Sequence, residues 1–230
     1  MKMRLLLVSL FAVAAHAADD STATVPKPAS STDLQAVFVD PAAPEAAEIR
    51  RLGELAINRI AVSMVSEVNT TVAKDGAERA LDVCHLKKLP RTGEIVAGLP
   101  RITAVKRTST QVRDPANAPD AAEKLALARV HSLLEAGTPP RILIQRIDLS
   151  GGGVEWRIYR PVAVTGQCVA CHGDLAAQSD ELRAVLKQRY PADQAAGYSV
   201  GEWRGLIRVT VAEAPPPAKP QAQKTPAKKI

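Results

Sequence analysis

Two cysteines three residues apart with a histidine directly behind them, Cys168-Val-Ala-Cys171-His172, are the residues of this chain best placed to do chemistry. Side chains at i and i+3 share one face of a helical turn, so both sulfurs can bond to a single rigid partner. The imidazole of His172 is then held where it can ligate a metal. This is the attachment pattern of a c-type haem, with two thioethers to the porphyrin and the histidine as axial ligand to iron. A redox dithiol calls for a neighbouring βαβ pattern, which the flanks lack. Structural zinc calls for four ligands, and no second pair with ligand spacing follows. The expectation is one covalently attached haem c on Cys168, Cys171 and His172.

The N-terminus fits that chemistry. Lys2 and Arg4 precede an apolar run from Leu5 to Ala15, and Ala15-His16-Ala17 reads as a small-x-small cleavage site, so residues 1–17 read as a secretory signal. No apolar run is long enough for a transmembrane helix. The expected compartment is a bacterial periplasm, where haem is attached after export. The formal charge of +6 comes mainly from the ends, because residues 18–212 hold 24 basic and 23 acidic side chains. With no basic patch interleaved with aromatics, nucleic acid is not an expected partner. Three cysteines leave Cys84 over once Cys168 and Cys171 are consumed. An unpaired thiol in an oxidising compartment is buried and inert, paired between chains, or bound to metal.

Residues 18–44, rich in Ala, Ser, Thr, Asp and Pro, read as a flexible leader. The domain proper spans 45–212. It opens on an amphipathic helix with Ile49, Leu52, Ala56, Ile60, Met64 and Val68 at three- and four-residue steps. A second helix is expected from Gly76 to Leu89, stopped by Pro90, with Ala77, Ala80, Leu81 and Cys84 inward and His85 turned about 100° away. Ile102–Thr108 reads as a strand, and a turn-rich loop runs from Arg113 to Asp120. A helix from Pro119-Asp120 to about Ala136 closes on Gly137. A hairpin pairs 141–148 with 154–159 around Ser150-Gly-Gly-Gly153. After the cysteine motif come a helix over 179–189 and a strand over 205–211, and residues 213–230 form a disordered proline- and lysine-rich tail. Helices followed by antiparallel strands give an α+β domain. Five of the six aromatics that follow the signal lie between Trp156 and Trp203. They form either a haem wall or a local sheet core.

Several segments together resemble a known family, the periplasmic c-type haem domains with a PAS-like fold. They are Ala80-Leu-Asp-Val-Cys84, Lys106-Arg-Thr-Ser109, Arg113-Asp-Pro-Ala-Asn117-Ala-Pro-Asp120 and Tyr159-Arg-Pro161, then Cys168-Val-Ala-Cys-His-Gly173, Tyr190-Pro-Ala-Asp193, Ala196-Gly-Tyr198 and Gly201-Glu-Trp-Arg-Gly205. The resemblance covers roughly residues 45–211. It implies a PAS-like antiparallel sheet with long N-terminal helices and a haem-binding loop. It also implies that Cys84 is the second axial ligand to iron, with Arg107 and Arg113 as contacts for the haem propionates. The alternatives are an open sixth position or one of three rival ligands: His85, which faces off the apolar side, His131, which reads more simply as a surface or interhelical histidine, and Met64, which reads more simply as core.

A thiolate ligand favours ferric iron and a low potential, and with both axial positions filled the site offers no open position for catalysis. The expected role is a redox- or gas-responsive haem module, with a diatomic gas as possible ligand and a redox or signalling protein as partner. The alternative is a monohaem electron carrier. An enzyme comes third.

Overall fold

Apolar residues alternating along the second half of the chain build a five-stranded antiparallel sheet. The computed structural model describes residues 35–84 and 90–213. The expected signal, most of the leader, His85 and the tail beyond Glu213 lie outside the described residues. In chain order the main elements are β1 (Gln35–Val39), α1 (Ala47–Asp75), α2 (Ala77–Val83), α3 (Pro90–Ala97), β2 (Ile102–Thr108), α4 (Ala121–Glu135), β3 (Leu143–Asp148), β4 (Val154–Ala163), α5 (Val169–His172), α6 (Asp180–Arg189) and β5 (Trp203–Ala212). The strands lie in the order β1-β3-β4-β5-β2. The α+β class expected from the sequence, with an antiparallel sheet, is the one observed; of the helices ahead of β2 only α1, with 29 residues, is long, whereas α2 has 7 and α3 has 8. No described helix is long and apolar enough to cross a membrane.

Both faces of the sheet are covered. On one, the stripe Ile49, Leu52, Ala56 and Ile57 of α1 packs on Ile144, Trp156, Ile158, Ile207, Val209 and Val211. Each such side chain removed from water contributes about 1.5–3 kcal/mol. A Cβ at Gly53 would stand 2.5 Å from Ile158 Cγ1, so the close approach of α1 to β4 requires glycine there.

On the other face, Ala126, Leu127 and Val130 of α4 meet Leu143, Tyr159 and Leu206. Asp120 caps α4 through the backbone N–H of Glu123, whose own side chain returns to the backbone of Asp120. Glu123 is wholly buried; Lys106 Nζ lies 2.7 Å from its Oε2 and Arg208 Nη1 3.2 Å from its Oε1. Arg157 holds Asp120 at 2.7 Å. Burial would push the Asp120 carboxyl up, but the Glu123 N–H, Arg157 and Arg208 bring it below its usual value. Arg208, which faces Asp120 and Glu123, and Thr210 alternate with the apolar residues of β5 and are both buried.

Three expectations need correction. Residues 35–39, assigned to the leader, form the edge strand β1 against β3; Val37, Phe38 and Val39 are good strand formers. The second helix ends at Val83, the expected stretch over 85–89 lies outside the described residues, and among the described residues Pro90 stands at the start of α3 instead of closing a helix. Proline's fixed φ suits the first helical turn. Ile95 and Val96 of α3, an element the periodicity missed, pack on the α1–sheet core. Finally, β4 continues past Tyr159 through Pro161 to Ala163. The β3 partner strand ends at the Leu143–Tyr159 pair, so Pro161 has a neighbour only on the β5 side and loses no ladder bond on the other.

Candidate functional site

Where β3 stops short, the C-terminal half of α1, the end of α2, β2 and the start of β5 enclose a cleft with the segment after β4. Its empty volume, counting the open mouth, is about 1530 Å³, and Val65, Val68, Leu81, Val105, Val162 and Leu206 make its wall largely apolar. Cys168, Cys171, His172 and Cys84 all line it.

The motif itself is a single helical turn. Cys168 caps α5, and its carbonyl accepts the N–H of His172 at 2.9 Å. Cys168 Sγ lies 3.1 Å from Thr165 Oγ1 and Cys171 Sγ 4.0 Å from the Ala77 carbonyl, which brings the motif against α2. Burial pushes the Cys171 thiol up to about 11, so as a free thiol it is protonated at neutral pH. A Cβ at Gly173 would fall 2.6 Å from the Val169 carbonyl, so the chain leaves this turn too tightly for any larger residue.

His172 is buried, and its Nδ1 lies 2.6 Å from the Ala195 carbonyl. A carbonyl only accepts, so Nδ1 carries the proton and Nε2 keeps its lone pair. Burial, followed by the positive charges of Arg113 and Arg204, holds the imidazole well below its usual value and hence neutral. The 190s segment forms the strap behind it. Tyr198 N–H donates to the His172 carbonyl at 2.9 Å and Gly197 N–H to the Gly173 carbonyl at 2.8 Å.

Arg113 ties this strap together. It donates to Asp193 Oδ2 at 2.8 Å, to the Cys171 carbonyl at 2.6 Å and to the Ala195 carbonyl at 3.2 Å. Its guanidinium is thus committed to the protein on three sides. Arg107 reaches the cleft beside Cys84, with Nη1 at 3.6 Å from Cys84 Sγ, 3.4 Å from the Cys84 carbonyl and 3.6 Å from Met64 Sδ. Arg204, which sequence reasoning did not single out, also lines the cleft. Its guanidinium lies 5.2 Å from the centre of the Tyr198 ring and donates to the Gln111 carbonyl, while its Nε is buried with no hydrogen-bond partner among the described residues. The available signal was its place in Gly201-Glu-Trp-Arg-Gly205, one of the segments that carry the family resemblance.

The model of the Tll0287-like family matches residues 42–212. The chain belongs to the Tll0287-like family. The crystal structure of the cyanobacterial heme-protein Tll0287 has the same fold, with a TM-score of 0.52 at 22% identity over 75% of this chain and 98% of that one. No curated protein matches the chain.

The other candidates divide between the cleft and the rest of this Tll0287-like fold. His131 is exposed and stacks on Trp203 at 6.2 Å, away from the cleft. Of the clustered aromatics, Tyr190 lines the cleft, whereas Trp156 and Tyr159 sit in the two sheet cores and Trp203 packs beside one of them. Asn117 borders the cleft, but its carbonyl serves the loop by accepting Thr108 Oγ1 at 3.0 Å. Met64, read as core, is buried yet lines the cleft. Among the described residues no three His, Cys, Asp or Glu side chains are grouped to hold a metal ion by themselves.

Proposed function

We propose that this member of the Tll0287-like family carries one haem c bonded to Cys168 and Cys171, with His172 and Cys84 as axial ligands. On this reading it works in the periplasm as a redox- or gas-responsive module read by a protein partner. The observation that carries the proposal is the meeting of four groups in one apolar cleft: two sulfurs on one helical turn, an imidazole with a free Nε2, and a third sulfur from α2.

The residues suit a metallated macrocycle. One imidazole and one thiol are too few donors for a bare ion, but they complete a coordination sphere whose other four donors belong to a porphyrin. The cleft is concave and walled mainly by apolar side chains with a few polar and charged groups converging on it, as ligand sites are. Arg107 and Arg204 supply positive charge at its wall, suited to the carboxylates of such a group.

When bound, the haem supplies a one-electron couple whose potential axial ligands tune across about 0.8 V. The protein does the rest. The Ala195 carbonyl fixes the tautomer and rotation of His172, Arg113 keeps the motif against the strap, and the apolar wall keeps water from the metal. Cys84 donates negative charge and so favours the oxidised state. It stands at the end of α2, a two-turn helix whose Leu81 packs on Leu182 and Leu186 of α6. Loss or retention of its bond is therefore felt by both helices, which is the link to a partner. The reading assigns no catalytic step.

A carrier that only shuttles an electron is the second reading, favoured by the open mouth of the cleft, through which a bound group would be reachable from solvent. Two measurements separate the cases. Cys84→Ser should abolish a low-spin thiolate spectrum in the oxidised protein; an unchanged spectrum rejects Cys84. Rapid binding of carbon monoxide or nitric oxide to the reduced protein favours sensing, and refusal favours transfer.

A further inference from the structure

The cleft holds a fourth sulfur. Met64 Sδ and Cys84 Sγ each lie 3.6 Å from the same atom, Arg107 Nη1, so the two sulfurs are no farther apart than twice that distance. Both residues line the wall of the cleft. Resting on the haem reading above, we propose that Met64 is an alternative axial ligand, replacing Cys84 when the iron is reduced.

The chemistry of the two sulfurs favours such an exchange. A thiolate is anionic and best matched to ferric iron, whereas a thioether is neutral and raises the potential by preferring ferrous iron. In the balanced step, a one-electron donor delivers an electron to the iron. The bond from Cys84 Sγ breaks with its electron pair staying on sulfur, and a lone pair of Met64 Sδ forms the new bond. The freed thiolate stays beside Arg107 or takes a proton from water. Reoxidation by a one-electron acceptor reverses every term.

The surroundings suit both partners. Met64 has three rotatable bonds and a small cluster around it, chiefly Ile60 with Val68, Ile95 and Val105, so its sulfur can swing without moving α1. Cys84 follows the last residue of α2 and is half-buried. Arg107 holds the Cys84 carbonyl at 3.4 Å as well as the sulfur, so it can retain the residue after the sulfur leaves. A methionine serving only the core has no reason to place its sulfur beside the guanidinium that Cys84 shares.

The test uses the full-length haem-loaded protein and its Met64→Leu variant, which conserves volume. Proton NMR of the reduced wild type should show a methionine methyl resonance shifted strongly upfield by the porphyrin ring current, absent from the variant. The reduced variant should bind carbon monoxide about tenfold more tightly or better if Met64 fills the site nine-tenths of the time. Its oxidised spectrum should keep the thiolate signature. No shifted methyl in the wild type, or equal carbon monoxide affinity in both proteins, overturns the assignment of Met64 while the thiolate signature stands. Should the variant fail to fold, the wild-type methyl resonance decides alone. An oxidised wild type without thiolate ligation sinks the underlying Cys84 reading instead, and the exchange with it.

Discussion

Replacing Arg113 by alanine should damage the protein whether or not haem is present. Family resemblance suggests a propionate contact for this residue, but its guanidinium already holds Asp193 and two carbonyls. Arg113 and Asp193 are only 11% and 14% exposed, so this is a largely buried pair. Removing one member of a buried pair costs about 3–5 kcal/mol, because the other charge is left without compensation. Part of the loss at the carbonyls is recoverable, since Gln178 also donates to Cys171 and His172 to Ala195. We therefore expect about 3–5 kcal/mol from urea unfolding of the full-length haem-free chain. The double variant with Asp193→Ala should cost less than the two single changes together, by about 2–3 kcal/mol of coupling. A loss below about 1 kcal/mol in the haem-free chain, or additivity within about 0.5 kcal/mol, refutes the strap. A large loss seen only with haem bound would return Arg113 to the propionates.

Three further outcomes follow from the fold. Glu123→Ala leaves Lys106 and Arg208 facing each other beneath α4 and should cost about 3–5 kcal/mol in chemical denaturation; a loss under 1 kcal/mol would contradict the buried cluster. Asp120 has its carboxyl held below the ordinary 3.8 in the folded chain. Its stabilisation is complete above that unfolded value and is lost as pH falls through the lower folded one. Asp120→Asn should thus flatten the fall in stability below about pH 4, and an unchanged acid limb would disprove the assignment. Gly53→Val puts atoms within reach of Ile158 where even a Cβ stands 2.5 Å away. Thermal melting should show a marked loss, and a neutral result would mean α1 does not lie so close to β4.

Much of this molecule was legible because local signals agreed with the global fold. The strand over Ile102–Thr108, the Asp120 cap and the last strand all rest on period or capping chemistry that packing reinforced. The same reasoning misplaced Pro90, since a proline that ends one helix also suits the start of another, and only tertiary contacts of Ile95 and Val96 decide between them. Edge strand β1 hid inside an alanine-rich, proline-rich composition. The motif residues could be named from spacing alone, because a helical turn fixes their mutual geometry. Convergence of Met64, Cys84 and Arg107 could not, because it joins α1, the end of α2 and β2 across the fold. Sequence likewise cannot separate Arg113, committed to Asp193 and two carbonyls, from Arg204, which stacks on Tyr198; both line the cleft.

The most direct test of the account is an intact-mass measurement on the exported full-length protein, with Cys168→Ala/Cys171→Ala beside it. The account predicts a coloured protein heavier than its processed polypeptide by one haem that survives denaturation, and a colourless variant of polypeptide mass alone. A wild-type chain with no added mass, or a pigment stripped off by denaturant, would contradict it.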